Sequence, residues 1–284
     1  MKDNTHNEYA KRIIKVLNFI QKHLDERFEL EQLAGIAHFS PFHFHRIFRA
    51  FTGESIAKYI RRLKLERAAG SLKYSDKLIS LISLEAGYEN TESFSRVFKS
   101  QFNKTPQEFR KMSKNELEKS LNPSLNMEKN NIFDVKIIEN VPKKTLICMR
   151  HTGRYFDVGS TWNKLIEWVN NNNFNIKSTL GISYDNPKIT EEEKIRYDAC
   201  VELDKSIIPG EGMHKIQIKG GRYAVATIRG SYDNLNAAYD YFYVKLLSEN
   251  SLKLRNQNCF EVYKRMSPDY SPDDYITEIF FPIK

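Results

Sequence analysis

The chain has 284 residues, of which 40% are hydrophobic and 28% charged, with a formal net charge of +8. This composition excludes a disordered chain and is typical of a globular protein with two domains of ordinary size. The N-terminus lacks the apolar core of a signal peptide, and no apolar run approaches the ~18 residues of a spanning helix. The sequence therefore predicts a cytoplasmic protein with no membrane partner. Cys148, Cys200 and Cys259 lie far apart without CxxC spacing, so we expect buried free thiols and no metal site.

The positive charge is concentrated in the N-terminal part of the chain. Residues 1–112 carry 20 Lys and Arg against 13 Asp and Glu, whereas the remaining residues carry 24 against 23. A basic module beside a nearly neutral one indicates that one half meets a polyanion and the other does something else. Charge alone leaves open a surface that is merely rich in lysine.

Two short amphipathic segments, residues 40–51 and 90–102, repeat at an offset of 50 residues. They read SPFHFHRIFRAF and NTESFSRVFKSQF. Ser40 and Asn90 are N-cap residues, and the apolar residues after them recur at helical spacing. Each segment is therefore predicted to be a helix with a dry face and an opposite face rich in hydrogen-bond donors.

The other apolar patterns of this region predict further helices at 6–24, 30–37, 56–72 and 78–86. In both halves a short helix, a tight turn and one of the repeated helices follow each other. This order is that of a helix-turn-helix, in which the second helix enters the major groove of DNA. The sequence thus predicts two such motifs joined by one helix.

Residues 22–110 resemble the AraC/XylS-type DNA-binding domain. The stretch ISLEAGYENTESFSRVFKSQFNKTPQEFRK carries the resemblance, and Asn103-Lys104 departs from it by replacing a pair that usually contains glycine. The resemblance implies that both reading helices enter successive major grooves, about one turn or ~34 Å apart. Its implied partners are double-stranded promoter DNA and RNA polymerase.

Position in the motif and side-chain chemistry predict the DNA contacts. Arginine donates two hydrogen bonds to guanine, glutamate accepts from cytosine, and an aromatic ring packs on a thymine methyl. The base-edge candidates are Phe42, His45, Arg46, Thr91, Glu92 and Arg96. The phosphate candidates are Arg49, Arg61, Arg62 and Lys99. For each of these arginines, a solvated surface charge is the alternative.

After residue 112 the character of the chain changes. Residues 113–131 are polar and predict a linker that frays from a helical end into a flexible tether. Residues 132–284 contain the related segments HTGRY and IRGSY at an offset of 77 residues, each leading into a helix. The predicted fold class is α+β: an all-α double helix-turn-helix domain over 1–112, then an α+β domain with duplicated β-α-β-β halves. We expect one antiparallel sheet with both helices on one face.

Residues 132–284 resemble the GyrI-like effector-binding domain. The resemblance rests on the two Gly-x-Tyr turns at Gly153 and Gly230, the segment FEVYKR and the terminal TEIFFPI. It implies that an acidic residue of the last strand, Glu278, lies in a pocket for cationic, aromatic ligands. Burying a carboxylate among apolar neighbours costs free energy unless a cation or hydrogen-bond donors pair with it. The candidate aromatic walls are Tyr155, Trp162, Tyr232 and Tyr239; core packing with an exposed edge glutamate is the alternative.

The leading interpretation is a transcription regulator with an N-terminal DNA reader and a C-terminal domain for a small, cationic or aromatic effector, without a cofactor. A second class is an enzyme, since some GyrI-like domains hydrolyse reactive alkylating compounds; Glu278 with Tyr155 or Tyr232 would then be the acid and base. A third class is an antagonist that grips a protein partner. No catalytic nucleophile with a base is visible in the sequence, so no catalytic residue is assigned.

Overall fold

A computed structural model of the chain describes residues 2–129, 133–246, 252–255 and 257–284. The chain divides into two compact units, Met1–Asn115 and Glu116–Lys284. The helices of the first unit are α1 Lys2–Lys22, α2 Leu30–Ile36, α3 Pro41–Thr52, α4 Ile56–Tyr74, α5 Ile79–Glu85 and α6 Thr91–Phe102. Helix α7 Pro106–Lys129 begins in the first unit and ends in the second. The two predicted helix-turn-helix motifs are confirmed as α2–α3 and α5–α6. None of the described helices is long and apolar enough to cross a membrane.

The repeated helices α3 and α6 begin and end as their sequences dictate. The Ser40 hydroxyl accepts a hydrogen bond from the His43 amide at 3.4 Å, and the Asn90 side chain accepts from the Ser93 amide at 2.8 Å. Both helices end at a residue in the left-handed region, Gly53 with φ 77° and Asn103 with φ 56°. Asparagine tolerates that conformation better than most residues, which explains how Asn103 replaces the usual glycine.

Buried phenylalanines pack the inner faces of both repeated helices against the core. Phe44 and Phe48 of α3 are fully buried, and the Phe48 ring packs edge-on against Tyr59 of α4 at 5.4 Å. Phe94 and Phe98 occupy the equivalent positions in α6 and are also fully buried. Because these stripes point into the core, the opposite faces of α3 and α6 point away from it.

The segment predicted to be a flexible tether is helical as far as Lys129 and belongs to α7. Residues 130–132 of the predicted linker lie outside the described residues. Residues 111–122 contain no glycine and are rich in glutamate, lysine and leucine, which favour the helix over the coil. The polarity that suggested a tether is therefore also compatible with a helical connection.

The second unit is built on one antiparallel sheet of eight strands. The strands are β1 Phe133–Val141, β2 Lys144–Thr152, β3 Ile176–Ser183, β4 Arg196–Leu203, β5 Met213–Ile218, β6 Gly221–Arg229, β7 Phe260–Arg265 and β8 Ile276–Pro282. Their order across the sheet is β1-β6-β8-β7-β3-β4-β2-β5. Two helices, α8 Gly159–Asn171 and α9 Leu235–Tyr241, follow β2 and β6.

The predicted duplication is confirmed as β2-α8-β3-β4 and β6-α9-β7-β8, which meet where β3 pairs with β7. The strand that precedes each half pairs with the other half. Strand β1 precedes the first half and pairs with β6 of the second, and β5 precedes the second half and pairs with β2 of the first. Strand register makes Asp198 equivalent to Glu278. Asp198 of β4 lies opposite Arg150 of β2, and Glu278 of β8 lies opposite Thr227, the equivalent residue of β6. The same register makes Gly181 equivalent to Glu261, and these two residues face each other across the β3–β7 junction.

Both helices pack on one face of the sheet, here named the helix face. Leu165 of α8 packs with Tyr197 and Ala199 of β4, and Phe242 after α9 packs with Phe281 of β8. The other face, here named the opposite face, has its own core. Its members include Cys148, Cys200, Val262 and Phe280.

The expectation of three free thiols is wrong for two of the cysteines. Cys148 and Cys200 lie opposite each other on β2 and β4 and are joined by a disulfide, whereas Cys259 is free. The two residues are 52 positions apart in the chain, so their spacing gave no sign that they sit on neighbouring strands.

Candidate nucleic-acid interface and ligand pocket

The outer faces of α3 and α6 carry the predicted base-edge residues. In α3, Phe42 is 74% exposed, and the Arg46 guanidinium lies over its ring at 5.9 Å. In α6, Arg96 is exposed and its Nη2 reaches the Ser93 hydroxyl at 3.5 Å. Among the described residues neither arginine forms an ion pair, so both guanidinium groups are available to a ligand. The other exposed candidates on these helices are His45, Arg49, Glu92 and Lys99, and Thr91 is half-buried.

Arg61 and Arg62 of α4 are neighbours in sequence but differ in their surroundings. Arg61 is exposed. Arg62 is buried: its Nη2 donates to Glu54 at 2.7 Å, and its Nη1 donates to Glu66 at 3.2 Å. Burial opposes its charge, but Glu66 and Glu54 together raise the pKa of Arg62. The prediction of Arg62 as a phosphate contact is therefore wrong, because its donors are used inside the helical unit.

A cleft of about 420 Å³ lies between the two helix-turn-helix motifs. Its lining includes the cationic residues Arg27, Arg61 and Lys64 and the turn at Gly87. Lys64 donates to the backbone carbonyl of Glu26 at 3.2 Å, and burial lowers the pKa of Lys64. Glu26 and Glu29 also line the cleft, so the space between the two motifs carries three cationic side chains against two acidic ones.

On the helix face of the sheet, Glu261 is the carboxylate near which the predicted aromatic wall residues lie. It is 3% exposed and stands at the middle of the sheet, where the two halves meet. Its Oε1 accepts hydrogen bonds from Tyr239 at 2.9 Å and Ser183 at 3.0 Å, and its Oε2 accepts from Tyr263 at 2.5 Å. Among the described residues no cation pairs with it. Hydroxyl groups alone therefore satisfy this buried carboxylate.

A chain of hydrogen bonds leads to Glu261 from the first half. The Trp162 indole donates to the Tyr197 hydroxyl at 3.2 Å, and Tyr197 lies 2.8 Å from the Tyr263 hydroxyl. Since Tyr263 donates to Glu261, its oxygen is left to accept from Tyr197, and all three donors then point towards the carboxylate.

The surroundings of Glu261 suppress ionisation of the tyrosines. Burial, and then the charge of Glu261, raise the pKa of Tyr239 and Tyr263 well above the ordinary value. Burial raises the pKa of Tyr232 to about 12, with smaller contributions from Tyr275 and Glu261. These hydroxyls therefore remain protonated donors across the physiological pH range.

Gly181 makes room for this network. A Cβ at this position would fall inside van der Waals contact with the hydroxyls of Tyr197 and Tyr263. Gly181, the equivalent of Glu261 in the first half, thus leaves room for the hydroxyls of Tyr197 and Tyr263. Only the second half supplies a carboxylate at this position.

The prediction of Glu278 as the pocket carboxylate is wrong. Glu278 lies on the opposite face, beside Val262 in the strand register, and its side chain is 15% exposed. Its carboxylate is 3.7 Å from the Lys136 ammonium and 3.4 Å from that of Lys264. Alternation along β8 placed Glu278 correctly with Phe280, but the sequence did not reveal which face receives the helices. The acid–base sets of Glu278 with Tyr155 or Tyr232 therefore do not form.

The structure brings the four predicted aromatic residues to the helix face near Glu261. Tyr232 lies 5.6 Å from the Tyr263 ring, Trp162 lies 5.7 Å from it, and Tyr155 lies edge-on to Tyr197 at 6.1 Å. The residues that sequence reasoning missed are Ser183, Tyr197, Glu261, Tyr263 and Tyr275. Two of them stand in FEVYKR, whose alternation already put Glu261 and Tyr263 on one side of a strand. Among the described residues no group of three or more His, Cys, Asp and Glu is placed to hold a metal ion.

Family comparisons agree with this division of the chain. Residues 137–284 match the GyrI-like small molecule binding domain, and residues 33–112 match a helix-turn-helix domain. The chain belongs to the AraC-type helix-turn-helix proteins with a GyrI-like domain. We refer to its two parts as the helix-turn-helix unit and the GyrI-like unit.

Similar proteins include the HTH-type transcriptional regulator YbfP of Bacillus subtilis, 40% identical over 106 residues, which are 37% of this chain and 36% of YbfP. The regulatory protein SoxS of Escherichia coli K12 is 31% identical over 102 residues, covering 36% of this chain and 95% of SoxS. The chain thus spans about a third of YbfP but nearly all of SoxS. The DNA-binding domain of AdpA, solved in complex with a target DNA, is 24% identical with a TM-score of 0.35, covering 37% of this chain and 96% of that domain.

Proposed function

We propose that this protein is a sequence-specific DNA-binding transcription regulator whose GyrI-like unit binds a small, cationic and aromatic effector. One observation supports the DNA reader above the others. Arg46 and Arg96 occupy equivalent positions on two repeated helices, both are exposed, and neither is paired with a carboxylate among the described residues. A duplicated fold that keeps the same free cation in both copies is suited to one ligand with repeating grooves.

In this proposal the two reading helices divide their work by position. Arg46 and Arg96 donate to guanine edges, Phe42 packs on a thymine methyl, and Glu92 accepts from cytosine, with His45 and Thr91 beside them. Arg49, Arg61 and Lys99 meet phosphates and supply affinity without sequence information. Arg62 has no part in the interface. RNA polymerase as a partner stays a prediction.

Selection of bound fragments from a random DNA library by the full-length protein tests the reader. We expect Arg46→Ala and Arg96→Ala each to weaken binding to the selected site by roughly 1–3 kcal/mol and to relax specificity at positions about one turn apart. Arg61→Ala is the control, with a similar loss on every sequence. If the arginines of α3 and α6 also gave a uniform loss, they would be phosphate contacts and the reading role would be wrong.

The effector proposal rests on Glu261. Its buried carboxylate has three hydroxyl donors but no counter-charge among the described residues. The rings of Trp162 and Tyr232 pack edge-on with Tyr263, which donates to this carboxylate, and aromatic rings beside a carboxylate attract a delocalised cation. A cation that reaches this site gains electrostatic energy that a neutral molecule of the same shape does not.

Calorimetric titration with an alkyltriphenylphosphonium cation and with uncharged triphenylphosphine oxide separates charge from shape. We expect Glu261→Gln to weaken binding of the cation at least about tenfold and to leave the neutral compound nearly unchanged. Glu278→Gln is the matched control and should change neither affinity. An equal loss for both compounds would remove the carboxylate from the recognition of charge.

Whether the effector regulates DNA binding depends on its affinity for the DNA-competent state, since only a difference between states shifts an equilibrium. DNA affinity measured with and without the phosphonium cation decides this point. A constant affinity would leave the GyrI-like unit as a binding module without control over the reader.

Hydrolysis of a reactive alkylating compound is a second candidate function. The 2.5 Å hydrogen bond between Tyr263 and Glu261 supports it, because it places a tyrosine and a carboxylate together in one site. The full-length protein should then turn over such a compound, and Tyr263→Phe should abolish turnover. A rate equal to that in buffer rules this function out.

A further inference from the structure

Helix α5 exposes three leucines at three-residue spacing. Leu78 is 72% exposed, Leu81 44% and Leu84 66%. Leu78 is the N-cap residue of the helix. Leu81 and Leu84 lie about 60° apart around the helix axis, and Leu78 precedes Leu81 by the same spacing. We name these three residues the leucine stripe. Side chains of this size are seldom left in water together without a partner.

The duplicated fold provides an internal control. Helix α2 is the equivalent of α5: their N-cap residues are Glu29 and Leu78, and both helices are capped by an alanine, Ala37 and Ala86. In α2 the positions of the leucine stripe are taken by Glu29, Gln32 and Gly35, all of them exposed. The same fold is therefore built without leucine at these positions, and the packing of the helix-turn-helix unit does not require the stripe.

We propose that the leucine stripe is a self-association surface, on which α5 of a second copy of this chain docks antiparallel. The order of residues is symmetric about Leu81: a leucine follows three positions away on either side, and a charged residue lies just beyond each leucine. A two-fold axis through Leu81 therefore places Leu78 against Leu84 of the second copy. It also places Lys77 against Glu85 of the second copy, so opposite charges meet at both ends of the stripe.

The ions at the ends of the stripe are free to re-pair. Within one chain the Lys77 ammonium lies 2.8 Å from Glu85, with side chains 46% and 42% exposed. Such an exposed pair contributes little to stability, so exchanging its partner for that of a second copy costs little. The neighbouring charges are already engaged elsewhere: Arg110 donates to the backbone carbonyl of Lys77, and Asp76 pairs with Lys114.

The size of the stripe sets the strength of the contact. Stable dimers bury about 800 Å² on each partner, and three leucines on a helix of seven residues are far below that area. The association is therefore weak in dilute solution and increases where two copies are held close together, as on neighbouring DNA sites.

Sedimentation equilibrium of the full-length protein, up to about 300 µM, tests the contact in the concentration range of weak dimers. We expect reversible dimers, and Leu81→Gln, which introduces the residue of α2, should raise the dissociation constant at least about tenfold because the position occurs twice on the axis. Leu30→Gln, on the exposed side of α2, is the control and should change nothing. Thermal unfolding of each variant first verifies the fold.

A charge exchange tests the antiparallel register. Lys77→Glu and Glu85→Lys should each weaken association, because like charges then meet at both ends of the stripe. An equimolar mixture of the two variants should restore it, since every contact between unlike copies is again attractive; the pair within one chain cannot produce this rescue. A wild-type protein that remains monomeric over the whole range, an unchanged Leu81→Gln variant, or a mixture no better than its components would each overturn the proposal.

Discussion

The two units of this protein each contain a duplication, and the two duplications have different outcomes. In the helix-turn-helix unit the copies keep the same free cation on the outside, Arg46 in one and Arg96 in the other. In the GyrI-like unit the equivalent central residues are Glu261 and Gly181: one supplies a carboxylate, and the other leaves the space that the hydroxyls of Tyr197 and Tyr263 fill. The first duplication gives two sites side by side. The second merges two halves into one site at their junction.

The difference follows from where each copy points its functional side chains. The reading helices turn theirs away from the shared core, so nothing prevents both copies from keeping them. The halves of the sheet turn theirs towards the junction between β3 and β7, where two buried carboxylates would lie next to each other. Like charges at such a distance destabilise each other strongly in a dry environment. Asymmetry is therefore required in the sheet and unnecessary in the helices.

The largest expected effect concerns the other equivalent acidic pair of the sheet, Asp198 and Glu278. Asp198 is fully buried and accepts from Arg150 at 2.5 Å and from Tyr184 at 2.7 Å. Asp198→Asn leaves Arg150 buried without its counter-charge, and we expect it to lower the free energy of unfolding by about 3–5 kcal/mol. Glu278→Gln should lower it by less than about 1 kcal/mol, because two half-exposed lysines are its partners. Urea unfolding measures both, and equal effects would contradict the divergence of the two halves.

The same residue predicts an acid limit to stability. Burial opposes ionisation of Asp198, but Arg150 and His214 hold the pKa of its carboxyl well below the ordinary value. The unfolded chain therefore binds a proton more readily, and the contribution of Asp198 is complete above about pH 4 and is lost as the pH falls below it. Unfolding followed from pH 7 to pH 2 should show this decline, and Asp198→Asn should flatten it. A curve that keeps its slope in the variant would assign the acid transition to other groups.

The two helix-turn-helix motifs share one element, helix α4, which joins them. Arg62→Ala removes the cation that pairs with the buried Glu54 and with Glu66, and we expect a loss of about 3–5 kcal/mol in the free energy of unfolding of the helix-turn-helix unit. Arg61→Ala, one position away but exposed, should change it by less than about 0.5 kcal/mol while weakening DNA binding. Similar losses of stability in both variants would mean that Arg62 is not the anchor of this helix.

A double-mutant cycle tests whether the two halves of the sheet cooperate in satisfying Glu261. Ser183 of the first half and Tyr239 of the second donate to the same Oε1 of Glu261. Ser183→Ala and Tyr239→Phe should each cost about 1–3 kcal/mol of stability, and together more than their sum by at least about 0.5 kcal/mol, because each donor partly compensates for the other. Additive effects would show that the two halves do not cooperate on one carboxylate.

The smallest expected effect exchanges the helix ends of the two reading copies. Gly53→Asn and Asn103→Gly should each change stability by less than about 0.5 kcal/mol, because both residues tolerate the left-handed region. Gly53→Ala should cost about 1 kcal/mol, since a Cβ is disfavoured there. A large penalty for Gly53→Asn would show that the two copies are less alike than their backbones.

The sequence predicted α2 to α6 within two residues at each end because their signals are local. An N-cap at Ser40 or Asn90, a phenylalanine stripe and a turn each act within a few positions, and the second copy repeats them. The pocket depends on long-range information. Alternation places Glu261 with Tyr263 and Glu278 with Phe280, but which face of the sheet receives α8 and α9 is decided by the assembled fold. For the same reason the burial of Arg62 and the pairing of Cys148 with Cys200 were not foreseen.

The two edge strands of the GyrI-like unit, β1 and β5, determine how this unit folds. Because β1 completes the edge of the second half and β5 completes that of the first, neither half is a self-sufficient module. A single cut in the loop between Leu203 and Met213 leaves each fragment holding the strand that the other lacks. The sheet parts of the two fragments should therefore be unstructured apart and reassemble when mixed, whereas the helix-turn-helix unit of the first fragment keeps its own core.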